Sequence, residues 1–564
     1  MGKVRCLLFV ILMPVLSSCT PEQFSPDLRI LWTNDTHGYL SPTYHREEGD
    51  DLYTERAKRE GRVGGFAYIA TIVRRQRAAA HHNSLLLDSG DTWHGTVLPV
   101  RLAGAPVVDV MNAMGYDAMV PGNVEFFYDR ATLEKLFSKT KFPLLMANIY
   151  DAEWGERAEL PNVQPYVIKN INGLKVAIIG MTYHWMSKIS QHPQWSFGLR
   201  TEEVQADVDH LRNNEKVDLV ILLSHMGWKV DLEYAKLVNN IDVIVGAHTH
   251  DSLYRPSIIY NEKSGRDVLV VQSGSHGKML GQLDLKVKNR QVIAFEQTLF
   301  PIRASEIEPD PEIAAYIEKL RAPYKSELEK VIGATTSLLY RQGTWQSTAD
   351  NLVTDALRAR TGQDLVIKEP GKYGATILPG PITVEDIYNF VPTESPVYYM
   401  KFTGAQLRSM FEAAIDNVMN EDPLQQVGSY MWRYSGLELT IDFSKTYPDR
   451  IQKITIDGKL ISKDKLYSLA EFDMFFRNSP QAVDIRKTDK IGPHEVIAYI
   501  KEQGEISSKL DHRISDNHGN IMSDHPHIHK RWDETGRNEY DLDKDKIFVY
   551  KGKIDKSGRF ITNK

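Results

Sequence analysis

Short apolar runs that end in polar residues recur between residues 28 and 303 of this chain. Continuous runs of Leu, Ile and Val, bounded by Gly, Asn or Asp, are typical of strands that are buried on both faces of a sheet. Between the first two runs, apolar residues recur at helical spacing, and this alternation of strands with helices predicts a layered α/β domain. The runs are residues 28–32, 85–87, 175–179, 218–223 and 241–245.

A single helix is predicted to connect this domain to the rest of the chain. Asp310 is suited to the N-cap, Pro311 to the first helical position and Gly333 to the stop. Pro323 is expected to kink or divide the helix, because proline lacks the N–H donor and clashes with the preceding turn. At 564 residues the chain is too long for one core, so a second α/β or α+β unit is expected after this helix.

The first residues have the pattern of a targeting segment. Lys3 and Arg5 precede an apolar run over 6–16 that is too short to cross a bilayer, and small residues follow it. Residues 16–19 resemble the lipobox of bacterial lipoproteins, in which the cysteine, here Cys19, carries the lipid. A plain signal peptide with a chance cysteine is the alternative. The lipoprotein interpretation predicts a protein exported to the periplasmic face of a bacterial membrane and held there only by the lipid on Cys19.

These patterns divide the chain into five predicted regions. They are a signal peptide at 1–18, a first domain at 19–305, a linking helix at 306–333, a second domain at 334–508, and a polar, turn-rich C-terminal extension at 509–564. His525, His527 and His529 alternate within the extension and would share one face of an extended chain. They predict either a capture site for Zn²⁺, Cu²⁺ or Ni²⁺, or a polar tail in which these histidines have no role.

Charge and cysteine content exclude several classes of protein and of site. The chain has 68 Lys and Arg against 74 Asp and Glu, whereas a dedicated nucleic-acid-binding protein needs a basic face, so no nucleic-acid partner is expected. Two cysteines exclude a disulfide framework and any cysteine-rich zinc or iron–sulfur site. Any metal site is therefore expected to use oxygen and nitrogen ligands.

Five polar motifs follow the apolar segments, several of them at the strand ends where open α/β sheets bind ligands. Each motif is weak alone, because such short patterns more often belong to ordinary loops, but five in this order are hard to obtain by chance. Their Asp, Asn and His side chains suit Mn²⁺, Zn²⁺ or Fe²⁺. The motifs are residues 34–37, 88–91, 122–125, 224–225 and 246–250.

The order and spacing of these motifs resemble the calcineurin-like metallophosphoesterase superfamily, and the two-domain layout resembles its 5′-nucleotidase family. The resemblance implies an N-terminal αββα metallophosphoesterase sandwich followed by a C-terminal 5′-nucleotidase-like α/β domain. It also implies a metal-dependent hydrolase with two divalent ions, Mn²⁺ foremost and Zn²⁺ or Fe²⁺ as alternatives. The implied ligands are Asp35, His37 and His250 for one ion, Asn123, His225 and His248 for the other, and Asp91 as the bridge between them.

Several positions depart from the nucleotidase pattern. That family has a catalytic histidine after the asparagine ligand and an aspartate three residues later, where this chain has Val124 and Phe127. The departures resemble the thiosulfohydrolase branch of the Sox sulfur-oxidation system, although Asn123 follows the nucleotidases. That branch carries an arginine near Lys372, which makes Lys372 the candidate catalytic and anion-binding residue of the second domain. Further matches to that branch are residues 44–47, 64–67, 91–93, 125–126, 195–198 and 378–383.

Leaving-group chemistry favours the same branch. Hydrolysis of a nucleotide expels an alkoxide, whose conjugate acid has a pKa near that of water, ~15.7. A proton donor facing that group is worth roughly 10²–10⁴-fold, and Val124 cannot donate. A sulfur leaving group departs more easily, because the pKa of a thiol is only ~8.5. The alternative is that another residue, His94, His184 or His276, supplies the proton from a different loop.

Three functional hypotheses follow. The leading one is a dinuclear-metal hydrolase resembling the Sox thiosulfohydrolase, which releases sulfate from a cysteine S-thiosulfonate on a carrier protein by attack of a metal-bound hydroxide. The second is a 5′-nucleotidase-like phosphomonoesterase that hydrolyses nucleotides or UDP-sugars. The third is a metal-binding lipoprotein without enzymatic activity, which the complete ligand set disfavours. The expected partner is a small anionic substrate or a thiosulfonate bound to a carrier protein.

Overall fold

The computed structural model describes residues 24–81, 83–189, 191–472, 476–524, 528–537, 547 and 549–563. The strands of the first domain are β1 (Leu28–Thr33), β2 (Ser84–Asp88), β3 (Ala118–Met119), β4 (Leu144–Leu145), β5 (Tyr150–Asp151), β6 (Val163–Gln164), β7 (Tyr166–Ile171), β8 (Leu174–Met181), β9 (Trp195–Ser196), β10 (Leu219–Ser224), β11 (Val243–Val245), β12 (Ser257–Asn261), β13 (Arg266–Val271), β14 (Met279–Lys288) and β15 (Gln291–Pro301). Its helices are α1 (Tyr53–Glu60), α2 (Phe66–Ala79), α3 (Val97–Arg101), α4 (Ala105–Met114), α5 (Arg130–Lys139), α6 (Met186–Ile189), α7 (Thr201–Asn213) and α8 (Trp228–Leu237), with a 3₁₀ turn at Glu125–Phe127.

Two stacked sheets form the core of the first domain. Leu87 of β2, Ile178 of β8 and Ile221 of β10 are fully buried in one apolar cluster, which lies between the sheets. On the outer face of the larger sheet, α2 and α4 pack against β1 and β2, and on the outer face of the smaller sheet α7 and α8 pack against β8 and β10. The predicted αββα sandwich is confirmed, and all five apolar runs are strands, namely β1, β2, β8, β10 and β11.

Parallel pairing at the centre of both sheets determines where the polar motifs lie. In the larger sheet β1 runs parallel to β2, with Ile30 opposite Leu85. In the smaller sheet β10 runs parallel to β8 and to β11, with Ile221 opposite Ile178 and Val243. Since the carboxyl ends of parallel strands meet at one edge of a sheet, the motifs that follow these strands are brought together there.

The connection between the domains consists of two short helices, α9 (Pro311–Arg321) and α10 (Lys325–Leu328), with Pro323 between them. The Asp310 side chain caps α9 by accepting hydrogen bonds from the backbone N–H groups of Glu312 and Ile313. The predicted stop at Gly333 is wrong, because Gly333 lies inside a strand, β16 (Val331–Thr335). The linking helix predicted over 306–333 therefore ends earlier, since this segment pairs with strands at Gly380–Thr383 and Glu505–Ile506 instead.

The second domain has two apolar clusters and three small sheets. Its further strands are β17 (Leu365–Lys368), β18 (Gly380–Thr383), β19 (Pro396–Thr403), β20 (Arg433–Ser435), β21 (Leu437–Ile441), β22 (Ile451–Ile456), β23 (Lys459–Leu460), β24 (Leu466–Glu471), β25 (Val483–Ile491) and β26 (Glu505–Ile506). Its helices are α11 (Thr348–Thr361), α12 (Val384–Tyr388), α13 (Gly404–Val418) and α14 (Gly492–Gln503). The mixed α/β architecture expected of this domain is confirmed.

The C-terminal extension has regular structure and belongs to both domains. It contains β27 (Ile514–Asp516), α15 (Ile528–Thr535), β28 (Val549–Ile554) and β29 (Phe560–Asn563). β27 pairs with β21 of the second domain, whereas β28 pairs with β15 and so adds two strands to the larger sheet of the first domain. The boundary predicted at residue 509 is therefore not a structural boundary, because β27, which follows it, pairs with β21 of the second domain.

Some predictions fall on parts of the chain that lie outside the described residues. These are the signal peptide at 1–18, the lipidation site Cys19, and His525 and His527 of the extension. His529 lies in α15. Among the described residues, no helix combines the length and the apolar character needed to cross a membrane.

Candidate metal centre

The first ligand cluster is formed by residues that follow β1 and β11. Asp35, His37 and His250 each offer one ligand atom, and these atoms all lie within 4.8 Å of one another. The Nε2 atoms of His37 and His250 are 3.0 Å apart, and His250 Nε2 is 3.4 Å from Asp35 Oδ1. Three groups that donate electron pairs therefore face one point.

The second cluster follows β2, β3, β10 and β11. Asp91, His225 and His248 also offer ligand atoms within 4.8 Å of one another. Asn123 joins them, because its Oδ1 atom is 2.9 Å from His248 Nδ1 and 3.3 Å from His225 Nε2. The amide oxygen of Asn123 thus completes a set of two imidazoles, one carboxylate and one amide.

Asp91 lies between the two clusters. Its Oδ1 atom is 3.2 Å from His225 Nε2, and its Oδ2 atom is 3.9 Å from His37 Nε2. The structure thus brings all seven predicted ligands to one site, with Asp91 where a bridging carboxylate is needed. The role of each residue as a ligand stays a prediction.

The hydrogen bonding of His225 tests whether this site fits a cation. His225 Nδ1 is 2.6 Å from the carbonyl oxygen of Ser89, so Nδ1 donates its proton there and the neutral ring has its lone pair on Nε2. That lone pair faces oxygens of Asp91 and Asn123, which also carry lone pairs. Burial would lower the pKa of His225, but Asp91, Asp35 and the Ser89 carbonyl together raise it to about 10, so that without a metal ion a second proton would occupy Nε2 at neutral pH. These groups therefore require a positive charge between them, and divalent metal ions meet that requirement.

The protonation of the remaining ligands is suited to metal binding. Burial lowers the pKa of His37 to about 4, so its ring is neutral at pH 7 and can bind a metal. Burial alone would raise the pKa values of Asp35 and Asp91, but nearby histidines, chiefly His250 and His225 respectively, lower both. Both carboxylates are consequently ionised at neutral pH.

The backbone at the site is held in an uncommon conformation. Left-handed φ values are rare for residues other than glycine, and where they cluster they mark functional sites. Such strain persists only where the surrounding structure enforces it. Five of the seven predicted ligands have such values: Asp35 (50°), His37 (48°), Asp91 (56°), His248 (72°) and His250 (64°).

Comparison with known proteins agrees with this architecture. Residues 28–252 match the calcineurin-like phosphoesterase family, and residues 331–476 match the C-terminal domain of 5′-nucleotidases. The chain is 30% identical over 468 residues to a snake venom 5′-nucleotidase of Naja atra, a match that covers 76% of this chain and 84% of the relative. The chain belongs to the 5′-nucleotidase family.

Other similar proteins have names that describe different activities. A trifunctional nucleotide phosphoesterase of Bacillus subtilis is 27% identical over 79% of this chain, which spans only 31% of that longer protein. A Thermus thermophilus sulfate thiohydrolase, SoxB, has a TM-score of 0.80 at 24% identity and covers 88% of this chain and 98% of its own. A 5′-nucleotidase precursor of Thermus thermophilus has a TM-score of 0.77 at 23% identity, with coverage of 87% and 99%. The fold is thus common to both groups, and this member of the 5′-nucleotidase family is a metal-dependent hydrolase.

Two supporting residues of this 5′-nucleotidase family member were not assigned roles from the sequence. Asn34 donates a hydrogen bond of 2.7 Å to Asp35 Oδ2 and another of 2.6 Å to the carbonyl oxygen of Gly274. The buried carboxylate of Glu125 accepts hydrogen bonds from the N–H groups of Gly122 and of three consecutive residues, 91–93. Glu125 thereby joins the loops that carry Asp91 and Asn123. The sequence signal for both supporting residues is that Asn34 and Glu125 lie inside the polar motifs 34–37 and 122–125.

Lys372 lies on the second-domain side of the same site. It lines a cavity together with His250, and the ring of its neighbour Tyr373 is 5.4 Å from the ring of His37. The loop is held by Arg341, whose Nη1 atom donates a 2.8 Å hydrogen bond to the carbonyl oxygen of Tyr373. The structure therefore places Lys372 near the metal centre, and its catalytic role stays a prediction.

The position that carries a catalytic histidine in 5′-nucleotidases is apolar and buried here. Val124 is 2% exposed, and its backbone N–H donates to Asp91 Oδ1 at 2.9 Å. Burial lowers the pKa values of the two alternative donors His94 and His184 to about 4. His276, the third, accepts a hydrogen bond at Nε2 from Gly374 N–H, and burial also lowers its pKa. At neutral pH none of these three rings is a protonated acid.

Proposed function

We propose that this protein is a dinuclear-metal thiosulfohydrolase that releases sulfate from a cysteine S-thiosulfonate on a carrier protein. The observation that carries the proposal is Val124, which stands where nucleotidases have a proton-donating histidine. Because the three neighbouring candidate histidines are neutral at pH 7, a substrate that needs no protonation of its leaving group suits this site best.

The proposed reaction is a hydrolysis without change of oxidation state. A water oxygen bonds to the sulfonate sulfur, and the bond from that sulfur to the carrier's outer sulfur breaks. The bonding electron pair stays on the outer sulfur, which leaves as a persulfide anion still attached to the cysteine. The protons of the water pass to solvent, and sulfate is the second product. Sulfur anions of this kind leave readily because their conjugate acids are far stronger than alcohols.

The chain's own residues would bind and orient this substrate. The seven ligands would hold two divalent cations, which supply a nucleophile at neutral pH and charge stabilisation for the oxygens of the group under attack. Asp91 lies between the two ligand clusters, and Glu125 holds together the loops that carry Asp91 and Asn123. Lys372 would attract the sulfonate oxygens from the second domain through a charge-assisted contact.

The lining of the cavity beside His250 suits an anionic substrate group. The cavity opens to solvent, and Lys372 and Arg531 are among the residues that line it. A sulfonate or phosphate group next to the metal centre would lie close to these cations. In addition, Phe472 and Phe476 of the second domain are buried in apolar clusters and cannot stack on a base.

A second candidate function is a 5′-nucleotidase-like phosphomonoesterase. It is favoured by the 30% identity to the Naja atra 5′-nucleotidase and by Asn123, which follows the nucleotidase pattern. The same metals and the same cation at Lys372 would serve a phosphate group. The two functions therefore differ in the leaving group, which is what the experiment has to vary.

Wild-type protein loaded with Mn²⁺ is expected to hydrolyse a cysteine S-thiosulfonate peptide and to turn over ribose 5-phosphate and AMP poorly. Val124→His is expected to raise kcat/KM for ribose 5-phosphate by about 10²-fold, because an acid then faces the alkoxide. The gain should be small for an aryl phosphate, which leaves without a proton. Steady-state kinetics with sulfate and phosphate detection measure both results.

Val124→Leu is the matched control, because it adds volume at the same position without a proton donor. Efficient AMP hydrolysis by the wild-type protein, combined with no sulfate release from the thiosulfonate peptide, would reverse the order of the two functions. An equal gain for Val124→Leu and Val124→His would show that cavity shape, and not proton donation, limits phosphatase activity.

The charge of Lys372 should make kcat/KM depend on pH in the alkaline range. Burial and the nearby Arg531 lower the pKa of Lys372 to about 8. The protonated form attracts the anion, so kcat/KM is expected to fall as the pH rises through about 8. In Lys372→Arg the fall should shift to higher pH, since arginine stays charged. Identical pH profiles of the two proteins would contradict a role for this cation.

Manganese is the proposed metal, and the outer face of a cytoplasmic membrane or the inner face of an outer membrane is the proposed location. The N-terminal pattern ending at Cys19 supports export and lipid anchoring. Mass spectrometry of the mature protein tests the lipid on Cys19, and Cys19→Ser should release the protein from the membrane fraction. Metal analysis of protein purified without added metal tests the choice of Mn²⁺.

A further inference from the structure

The C-terminal extension crosses from the second domain to the mouth of the metal centre. Near its start, the carbonyl oxygen of Ser523 accepts a 2.8 Å hydrogen bond from Trp345 N–H of the second domain. Helix α15 then docks on the first domain, where the carbonyl oxygen of Thr535 accepts a 2.9 Å hydrogen bond from Tyr254 N–H. An ion pair of 2.6 Å between Lys229 and Glu534 holds the same helix. The extension is therefore fixed on both sides of the cavity.

Arg531 of α15 contacts the loop that carries His250. Its Nε and Nη2 atoms bind the two carboxylate oxygens of Asp251 at 2.7 and 2.5 Å, and Asp251 directly follows His250 in the chain. This bidentate pair fixes the guanidinium plane. Among the described residues, the hydrogen bonds of the Arg531 side chain are made by Nε and Nη2. The N–H groups of Nη1 can therefore donate to a ligand.

Lys372 lines the same cavity from the second domain. In the part of the chain that the structure describes, its ammonium makes no hydrogen bond or ion pair, and Nζ lies 5.2 Å from the centre of the Tyr430 ring. Arg531 is its strongest charged neighbour and lowers the pKa of Lys372 in addition to the effect of burial. The cavity thus contains two like charges, and no carboxylate of the described residues forms an ion pair with Lys372.

The other charged groups of the cavity already have hydrogen-bond or ion-pair partners. Glu47 forms ion pairs with Lys278 and with Arg537. Glu48 accepts hydrogen bonds from the N–H and the hydroxyl of Thr344, at 3.0 and 2.7 Å. Among the described residues, the cavity lining contains four cations and three carboxylates, and Lys372 is the cation that has no hydrogen bond or ion pair with a carboxylate.

We propose that Arg531 and Lys372 form one oxyanion subsite, so that the C-terminal extension supplies a substrate-binding residue to the metal centre. The ligand class is a tetrahedral oxyanion, a sulfonate or a phosphate, held by Arg531 Nη1 from one side and Lys372 Nζ from the other. Such charge-assisted hydrogen bonds are stronger than neutral ones, and an anion here also relieves the repulsion between the two cations. The inference deepens the proposed function and rests on it for the identity of the oxyanion.

The test is the binding of inorganic thiosulfate and inorganic phosphate to the full-length, Mn²⁺-loaded protein, measured by calorimetry. Arg531→Gln is expected to weaken binding about tenfold or more, because a charge-assisted contact is lost. Arg531→Lys should bind with an affinity between those of the wild type and Arg531→Gln, because the charge remains but one ammonium cannot replace both the bidentate pair with Asp251 and the Nη1 donors. Glu534→Gln is the matched control, because it removes another ion pair that docks α15 without touching the cavity. Metal content, measured in every variant, should stay unchanged.

Two results would overturn the inference. One is an affinity of Arg531→Gln equal to that of the wild type; the other is an equal loss in Arg531→Gln and Glu534→Gln, which would mean that docking of α15 alone matters. The failure of the proposed function has a different signature. If the protein hydrolyses phosphomonoesters and not thiosulfonates, the function is wrong, while an oxyanion affinity that depends on Arg531 still supports the subsite.

Discussion

Asp91→Ala is expected to reduce kcat/KM by at least about 10³-fold, equal to about 4 kcal/mol of transition-state stabilisation. Asp91 lies between the two clusters, with one oxygen 3.2 Å from His225 Nε2 and the other 3.9 Å from His37 Nε2. A carboxylate in this position would serve both ions, so its loss should lower the metal content from two ions per chain to one or none. Kinetics and metal analysis of the purified variant measure the two effects.

Asp91→Asn separates charge from shape in the same experiment. The amide can still accept the hydrogen bond from Val124 N–H, so the loop is expected to keep its conformation while the negative charge is lost. Activity should fall about as far as in Asp91→Ala, with a native circular dichroism spectrum. Asp51→Asn, at an 88% exposed side chain, is the control for a charge change in the same domain. Retention of both ions and of substantial activity in Asp91→Asn would contradict the bridging role.

Gly122→Ala is expected to have the second largest effect, a loss of about 10²-fold or more in kcat/KM through misplacement of ligands. A Cβ atom at Gly122 would lie 2.5 Å from His225 Cε1 and would also overlap with the carboxylate of Asp91. Both ligands therefore have to move, and Mn²⁺ affinity should fall together with activity. Titration of the metal-free protein with Mn²⁺, followed by kinetics at saturating metal, measures the change.

Gly198→Ala is the matched control for this substitution. Its new Cβ would meet no atom nearer than Arg200 Nε at 3.8 Å, and its backbone φ is not in the left-handed region. It should therefore leave metal affinity and kcat/KM unchanged. If Gly122→Ala also binds metal like the wild type, the loops carrying Asp91 and His225 are more adaptable than their contacts indicate.

Six of the seven predicted ligands follow strands that are apolar runs in the sequence, whereas Asn123 follows the two-residue strand β3 and was indicated only by the family resemblance. Asp35 comes after β1 and Asp91 after β2, and both strands are continuous apolar runs that pair in parallel. Parallel pairing brings strand ends together whatever the distance along the chain, so His225 and His248 could be assigned to the same edge. The local pattern and the global architecture agree at this site.

Other features depend on contacts that leave no local pattern. Arg531 and Asp251 are 280 residues apart, and nothing in the polar sequence around Arg531 indicates its partner. The sequence predicts a helix that ends at Gly333, because this glycine resembles a helix stop, whereas pairing with residues near 382 and 505 makes residues 331–333 part of a strand. Tertiary pairing overrides local propensity in such short segments.

The pairing of β28 with β15 has a consequence for how the protein is made. The ribosome releases the N-terminal domain first, yet an edge of its larger sheet is completed only by β28 and β29, which follow the whole second domain in the chain. Until those residues emerge, β15, a strand of 11 residues, presents an unpaired backbone edge that can pair with another chain. Truncation of the chain before β28 should therefore cause aggregation of the N-terminal domain as well as loss of the two strands.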